Sequence, residues 1–148
     1  KVFSYERKPE VQALARSNLA RLGFENRVDF KLGEAVDGFV ERDVDALFLD
    51  LPNPYDYIGQ AKASLKGGGY LGILVPTVNQ VTRCLQALRL QQFAFVEVCE
   101  IILRYFKTDW DRFRPVDRMV AHTGYLIFGR SVFESSDELF DGEVNELT

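Results

Sequence analysis

The chain has 148 residues and a formal net charge of −4, and 47% of its residues are hydrophobic while 27% are charged. These values lie near the averages of globular domains, and they exclude a disordered tail, a collagen-like repeat and a disulfide-stabilised miniprotein. The most apolar windows, such as residues 70–76, are far shorter than the roughly 20 residues of a membrane helix, so we expect no membrane partner. Cys84 and Cys99 lack metal-ligand spacing, which favours a cytoplasmic protein with neither a disulfide nor a metal site.

Hydrophobic periodicity predicts short strands that alternate with helices. Pro9 suits the first turn of a helix, and Gly23 follows the last apolar position of that helix. Pro54 is the second of two prolines that delay the next helix until Tyr55. In chain order we predict a strand over 2–5, a helix over 9–22, strands over 28–32 and 44–49, a helix from 55 to 65, a glycine turn at 67–69, a strand over 70–75, a helix over 78–90, and strands over 95–106 and 120–128.

The order of these elements predicts an α/β fold. Strands that alternate with helices are typical of a parallel sheet, and the run Val44–Leu49 is apolar enough to be buried on both faces of it. The last two strands have no helix between them, which indicates an antiparallel hairpin at the end of the sheet.

Each of three predicted parallel strands is followed by a carboxylate, and ligands of open α/β sheets bind beyond the carboxyl ends of the strands. Glu6 can accept two hydrogen bonds from the vicinal hydroxyls of a ribose. Gly33 allows close approach of the backbone, and Glu34 can accept from the exocyclic amine of an adenine. The alternative is that such residues are exposed turn formers, but three in register favour a nucleotide-like ligand.

The third carboxylate, Asp50, precedes a proline-rich turn. Pro52 and Pro54 hold the backbone in an extended path, which can place carbonyl groups around a planar base. Asn53, between the two prolines, can complete a polar rim. The sequence therefore indicates a base-binding turn at this position.

The loop between the last two strands mixes cations with aromatic side chains. Cations beside flat rings fit a phosphate backbone and an extruded base, since stacking contributes about 1–3 kcal/mol per base. A solvated hairpin with core-facing aromatics explains the pattern equally well, because Asp109, Asp111 and Asp117 dilute the basic charge. The cations are Arg104, Lys107, Arg112, Arg114 and Arg118, and the rings are Tyr105, Phe106, Trp110 and Phe113.

Six segments of the chain together resemble the tRNA (adenine-N1)-methyltransferases that modify the T-loop. The most specific are Asp-Leu-Pro-Asn-Pro at 50–54 and Arg-Met-Val-Ala-His-Thr-Gly-Tyr at 118–125. The likeness extends to about Arg130, which defines a catalytic domain over 1–130, whereas 131–148 reads as an acidic tail. The segments are 4–6, 31–34, 48–54, 68–70, 75–81 and 117–126.

The resemblance implies a Rossmann-like class I methyltransferase sheet, S-adenosyl-L-methionine as cofactor and tRNA, not DNA, as partner. It implies that Glu6 holds the ribose, that Gly33 and Glu34 line the adenine pocket, and that Asp50 lies where the methyl group meets the target base. Asp50 is thus expected both to bind the cofactor and to be catalytic. The residues expected to contact RNA are Pro52, Asn53, Arg104, Arg112, Arg114 and Arg118.

The chain departs from the family at its start, because the glycine-rich cofactor loop and the first strand of the sheet do not precede Glu6. We expect a fragment that is inactive alone, with an exposed gap between the strand before Glu6 and the strand before Asp50. In the intact protein a Gly-x-Gly turn is expected within about 30 residues before Lys1.

Two functions remain open from the sequence: the catalytic chain, or a non-catalytic structural or RNA-binding subunit of a methyltransferase complex. The three carboxylates favour the enzyme, because a subunit without a cofactor does not require them. A homotetramer, or a pair with a sister subunit, is the assembly that the family implies. His122 lies inside a predicted strand and is expected to be structural.

Overall fold

The computed structural model describes residues 1–119 and 122–132. Within these ranges, three helices and six strands form the α/β order that the sequence predicts, and the short 3₁₀ turns lie in the connections. The helices are α1 (Pro9–Arg21), α2 (Ile58–Ser64) and α3 (Val78–Leu90); the strands are β1 (Val2–Glu6), β2 (Val28–Leu32), β3 (Val44–Leu49), β4 (Leu65–Val75), β5 (Phe93–Glu100) and β6 (Tyr125–Ser131).

Local sequence explains where the helices begin and end. Pro9 occupies the first turn of α1, where its missing N–H leaves no hydrogen bond unmade, and Gly23 adopts a φ of +72° just beyond the helix end. The side chain of Thr77 caps α3 by accepting a hydrogen bond from the Gln80 backbone N–H at 3.4 Å. No helix in the described part of the chain is long and apolar enough to span a membrane.

The strands form two separate sheets. β1 and β2 pair in parallel, and the second sheet has the order β3-β4-β6-β5, in which β3 and β4 are parallel while β6 is antiparallel to both β4 and β5. The predicted antiparallel hairpin is therefore confirmed. Among the described residues, no strand pairs with the second edge of β1 or of β3, the two strands between which the sequence predicts a missing strand.

The core is built by the four-stranded sheet with α2 and α3. Every buried apolar side chain in the described ranges belongs to residue 49 or later, and β4 supplies four of them. The core residues are Leu49, Ile58, Ala61, Leu65, Leu71, Ile73, Val75, Cys84, Leu88, Phe93 and Ile127. The buried layer thus supports the sheet edge at which β3 and β4 end.

Ile73 lies at the centre of this core with no exposed surface. We expect Ile73→Ala to lower the free energy of unfolding by about 2–5 kcal/mol, because the substitution removes buried methyl groups and leaves a cavity. Leu90→Ala is the matched control, since Leu90 is 80% exposed and its loss should change stability by less than about 0.5 kcal/mol. Urea unfolding followed by circular dichroism measures both, and equal effects would contradict the assigned core.

The final strands differ from their predicted bounds. β5 ends at Glu100, whose register partner is Tyr125, and the apolar residues 101–103 continue without a neighbouring strand in the described chain. The prediction of a strand to 106 is therefore wrong, because apolar composition does not show whether a pairing partner exists. Likewise β6 starts at Tyr125, so His122 precedes the strand, while residues 120 and 121 lie outside the described ranges.

Two further predictions are wrong. The glycine run is not a turn before a strand: β4 passes through it from Leu65, with Gly68 at a φ of +74° and an irregularity opposite β3. β3 is not buried on both faces, because Phe48 on one of them remains 57% exposed and only Leu49 in the strand is buried. The predicted tail at 131–148 lies outside the described residues apart from Ser131, which ends β6, and Val132.

Candidate active site

The turn after β3 forms one wall of a cavity at the carboxyl edge of the sheet. Because Leu49 pairs with Ile73, Asp50 follows β3 at the level of Leu74 in the neighbouring strand. The cavity has a volume of about 420 Å³, and Asp50 is the only ionisable group among its described lining residues. Those residues are Asp50, Leu51, Pro52, Leu74, Pro76, Gln80 and Thr123. A single carboxylate thus faces a pocket that is otherwise apolar or neutral.

Hydrogen bonds from the start of α3 hold the proline turn in place. Gln80 Nε2 donates to the Pro52 carbonyl at 2.8 Å, and Thr77 Oγ1 donates to Gln80 Oε1 at 2.6 Å. The Pro52 carbonyl uses one of its two acceptor sites on Gln80, so its contact with a base stays a prediction. Pro52 shapes the cavity, and its carbonyl anchors the wall.

Asn53 is held from the opposite side of the turn. Tyr55 Oη donates to Asn53 Oδ1 at 3.0 Å, and Arg83 Nη1 donates to the same Tyr55 hydroxyl at 3.1 Å. The carboxamide oxygen of Asn53 is therefore engaged within the turn, which leaves its amide group for an external acceptor. This orientation agrees with a place on the polar rim, although Asn53 is not among the residues that line the cavity.

His122 is hydrogen-bonded beside the cavity: it contacts the lining residue Pro76 and precedes the lining residue Thr123. Its Nδ1 lies 2.5 Å from Glu100 Oε1 and its Nε2 lies 2.8 Å from the Pro76 carbonyl oxygen. The hydrogen bond to Glu100, followed by that to Pro76, raises the pKa of His122 above its ordinary value. The prediction that His122 is a hydrogen-bonded residue is confirmed, although the residue lies before the strand.

The other two predicted carboxylates lie on the two-stranded sheet. Glu6 pairs with Leu32 in register, and the Gly33 N–H donates to the Glu6 backbone carbonyl at 3.1 Å, so Glu6 and Glu34 follow adjacent strands at one edge. Glu6 Oε1 accepts from the Lys8 N–H at 2.8 Å. One carboxylate oxygen of Glu6 therefore stabilises the turn, as the simpler alternative expects, and its Oε2 is available to a ligand.

A polar cluster holds the connection before β3 against the two-stranded sheet. Glu41 accepts hydrogen bonds from Tyr5 Oη and Lys31 Nζ, both at 2.5 Å, and the Val40 N–H donates to Tyr5 Oη at 3.0 Å. Burial and then the Glu41 hydrogen bond raise the pKa of Tyr5. Burial acts to raise the pKa of Glu41, but the bonds from Lys31 and Tyr5 outweigh it and lower that pKa. The cluster ties the connection that leads into β3 to the strands carrying Glu6 and Glu34.

The loop after β5 forms an exposed arm, here residues 101–119. Its base is closed by a bridge between Phe106 and Pro115, and the rings of Phe106 and Phe113 stack at 5.2 Å. Trp110, at the tip, is 88% exposed. Contacts within the arm, including the stacked rings of Phe106 and Phe113, therefore hold its shape, whereas the Trp110 ring stays in solvent.

The arginines of the arm differ in their surroundings. Arg114 lies 3.4 Å from Asp117, which also accepts from Lys107 at 2.9 Å. Within the described ranges, no ion pair engages Arg112 or Arg118, and Arg104 lies 5.9 Å from the centre of the Phe106 ring. Arg112 and Arg118 consequently remain exposed cations.

Gln80 and Thr123 are cavity residues that sequence reasoning missed as site residues, together with the apolar side chains of Leu74 and Pro76. The sequence did carry a signal for Gln80 and Thr123, because they lie in 75–81 and 117–126, which are two of the six segments that resemble the family. No cluster of three His, Cys, Asp or Glu side chains suited to a metal occurs in the part of the chain that the structure describes.

Comparison with known proteins identifies the family. Residues 1–112 match the model of the tRNA methyltransferase complex GCD14 subunit family. The chain belongs to the GCD14 family. A relative from Methanocaldococcus jannaschii, named tRNA (adenine(57)-N(1)/adenine(58)-N(1))-methyltransferase TrmI, is 30% identical across 88% of this chain and 55% of its own length. The GCD14-family chain described here thus spans about half the length of that relative.

Solved structures give the same fold for this GCD14-family chain. A SAM-dependent O-methyltransferase from Thermotoga maritima is 46% identical with a TM-score of 0.87, over 93% of this chain and 52% of that one. The tRNA (m1A58) methyltransferase TrmI from Aquifex aeolicus is 36% identical with a TM-score of 0.81, over 90% of this chain and 54% of that one. The Rossmann-like methyltransferase fold expected from the sequence is therefore confirmed.

Proposed function

We propose that this chain provides the nucleoside-binding and base-facing part of an enzyme that transfers a methyl group from S-adenosyl-L-methionine to N1 of a T-loop adenosine in tRNA. The observation that supports this most is the cavity at the carboxyl edge of the sheet, in which Asp50 is the only ionisable described group. It lies within the region that matches the tRNA methyltransferase family.

The chemistry at adenine N1 fits a pocket with a single acceptor. N1 attacks through its own lone pair, so no base has to remove a proton first, and the product ring gains a positive charge. When bound, S-adenosyl-L-methionine supplies an electrophilic methyl group on a sulfonium sulfur. Asp50 accepts from the exocyclic amine of the adenine, which orients N1 and stabilises the positive charge that grows on the ring.

The described residues fit the nucleoside end of the cofactor. The free Oε2 of Glu6 is placed to accept from ribose hydroxyls, and Glu34 to accept from the adenine amine, on neighbouring strands of one sheet edge. Gly33 lies between them, with open space beyond its contact with the Tyr5 ring. No Gly-x-Gly turn follows a strand at this edge in the described chain, and we propose that the chain does not turn over alone.

A methylation assay tests the proposal with the intact protein from which this chain derives. We expect transfer from labelled S-adenosyl-L-methionine to a tRNA transcript, and loss of transfer when the T-loop adenosine carries carbon in place of N1 (1-deazaadenosine). Transfer to a ribose hydroxyl instead would favour the O-methyl chemistry named for the Thermotoga protein. A protein that methylates no tRNA would contradict the proposal.

We also propose that the intact protein is a homotetramer. β5 is an edge strand whose Phe95 is 82% exposed, and the adjoining residues Ile101 and Leu103 are 70% and 62% exposed. A monomer would leave this apolar edge in water, whereas symmetric assembly covers it. Light scattering at micromolar concentration should give about four times the chain mass, and a monomer would contradict the proposal.

A further inference from the structure

His122 contacts an oxygen at each of its ring nitrogens. The Pro76 carbonyl oxygen and an ionised Glu100 carboxylate both accept, so the two hydrogen bonds form together when each ring nitrogen carries a hydrogen, that is, in the imidazolium form. The bonds join three parts of the sheet edge: the end of β5 at Glu100, the residue after β4 at Pro76, and the segment before β6. A neutral imidazole has a single N–H and can satisfy only one of them.

The segment that His122 fixes is a wall of the candidate active site. Pro76 accepts from the ring and lines the cavity, and Thr123 follows His122 directly in the chain and lines it as well. Asp50 lines the same cavity, after β3. The placement of Pro76 and Thr123 relative to Asp50 therefore depends on both hydrogen bonds of His122.

We propose that His122 is a positioning residue of the target-base pocket: its imidazolium holds Pro76 and Thr123 in place in the cavity that Asp50 also lines, and the pocket loosens when His122 loses its proton. The catalytic part of this inference rests on the proposed function. His122 does not face the base and does not exchange a proton with it. Its role is to keep the pocket at the width that aligns an adenine with Asp50.

The groups around the ring determine how this wall responds to pH. Glu100 faces the imidazolium from β5, and Tyr125 faces it from β6 with ring centres 4.8 Å apart. Among the described residues, the end of β4 contributes the neutral Pro76 carbonyl, and Asp50 is the only ionisable group that lines the cavity. Because these contacts raise the His122 pKa, the wall is complete below about pH 6.5, the ordinary value, and is lost as pH rises through the raised value.

The 148 residues contain one histidine, so the imidazole signals of this chain without a tag need no assignment. We expect ¹⁵N NMR to show both ring nitrogens protonated at pH 6, and the Thr123 amide to titrate with the same midpoint as the ring. Glu100→Gln keeps the size of the acceptor and should move that midpoint toward 6.5. A Thr123 amide that does not follow the ring would overturn the proposal, and so would a ring that is neutral at pH 6.

Kinetics of the intact enzyme test the positioning role. His122→Gln should lower kcat/KM for tRNA roughly tenfold at pH 6.5 and should flatten the alkaline decline of the wild-type profile, while affinity for the cofactor stays unchanged. Equal activity of this variant and wild type at every pH would overturn the positioning role. A wild-type protein with the expected titration but no methylation would overturn the proposed function while supporting the structural role of the imidazolium.

Discussion

Replacing Asp50 with alanine is expected to lower the single-turnover rate of methyl transfer in the intact protein by roughly 10²- to 10³-fold, the range found when one charge-stabilising group is removed from an active site. Asp50 is the only ionisable described group in its cavity, so no described neighbour can replace the carboxylate. Binding of tRNA should change by less than about twofold, because binding depends chiefly on phosphate contacts elsewhere. Rapid-quench measurement of one turnover with enzyme in excess separates the two quantities.

Asp50→Asn is the matched control for that variant. Asparagine keeps the size of the side chain and one acceptor oxygen but removes the negative charge, so we expect a rate between those of wild type and alanine. The backbone of the turn should be unaffected, since Gln80 anchors it through the Pro52 carbonyl. Single-turnover methylation by Asp50→Ala at the wild-type rate would show that Asp50 has no catalytic role.

Charge reversal at the arm is expected to weaken tRNA binding and reduce its dependence on salt. Arg112→Glu combined with Arg118→Glu removes two exposed cations that no described carboxylate neutralises. If each contacts a phosphate, the slope of log affinity against log salt should fall by roughly two. Filter binding at four salt concentrations measures the slope, and affinity for S-adenosyl-L-methionine should remain at the wild-type value.

Two further variants serve as controls for tRNA binding by the arm: Arg114→Glu, and the double variant Arg21→Glu with Arg89→Glu. Arg114 lies 3.4 Å from Asp117, so its reversal should disturb the arm itself as well as any RNA contact. Arg21 and Arg89 are exposed at the ends of α1 and α3, and their reversal changes the total charge equally without altering the arm. An equal loss of salt dependence in both double variants would indicate a diffuse charge effect and leave the arm without a specific role.

Much of the fold was predictable because local signals agree with the tertiary structure. Pro9 and Gly23 mark the ends of α1, and the run Val78–Leu90 has both a capping threonine and helical periodicity, so its bounds match the prediction. The final strands were predicted less well, since residues 101–103 are apolar without being paired. Apolar composition reports burial or association, whereas strand length depends on a partner elsewhere in the chain.

The candidate site was predictable only in part, for a similar reason. Asp50 was found because a carboxylate directly after a strand is a local pattern. The hydrogen bonds of His122 to Glu100 and Pro76 join residues that are 22 and 46 positions apart in the sequence. The hydrogen bond from Gln80 to Pro52 joins residues that are 28 positions apart. Contacts at such separations arise from strand order and helix placement, which the sequence pattern does not specify.

The two-stranded sheet is where we expect the molecule to unfold locally. Residues 1–48 include no buried side chain among those the structure describes, and a two-stranded parallel sheet is at best marginally stable by itself. Amide hydrogens of β1 and β2 should therefore exchange through local opening at far lower free energy than those of β4 and β6. Glu6 and Glu34 are on this unit, so under the proposed function the observed affinity for a nucleoside is the intrinsic affinity multiplied by the fraction of molecules in which the unit is closed.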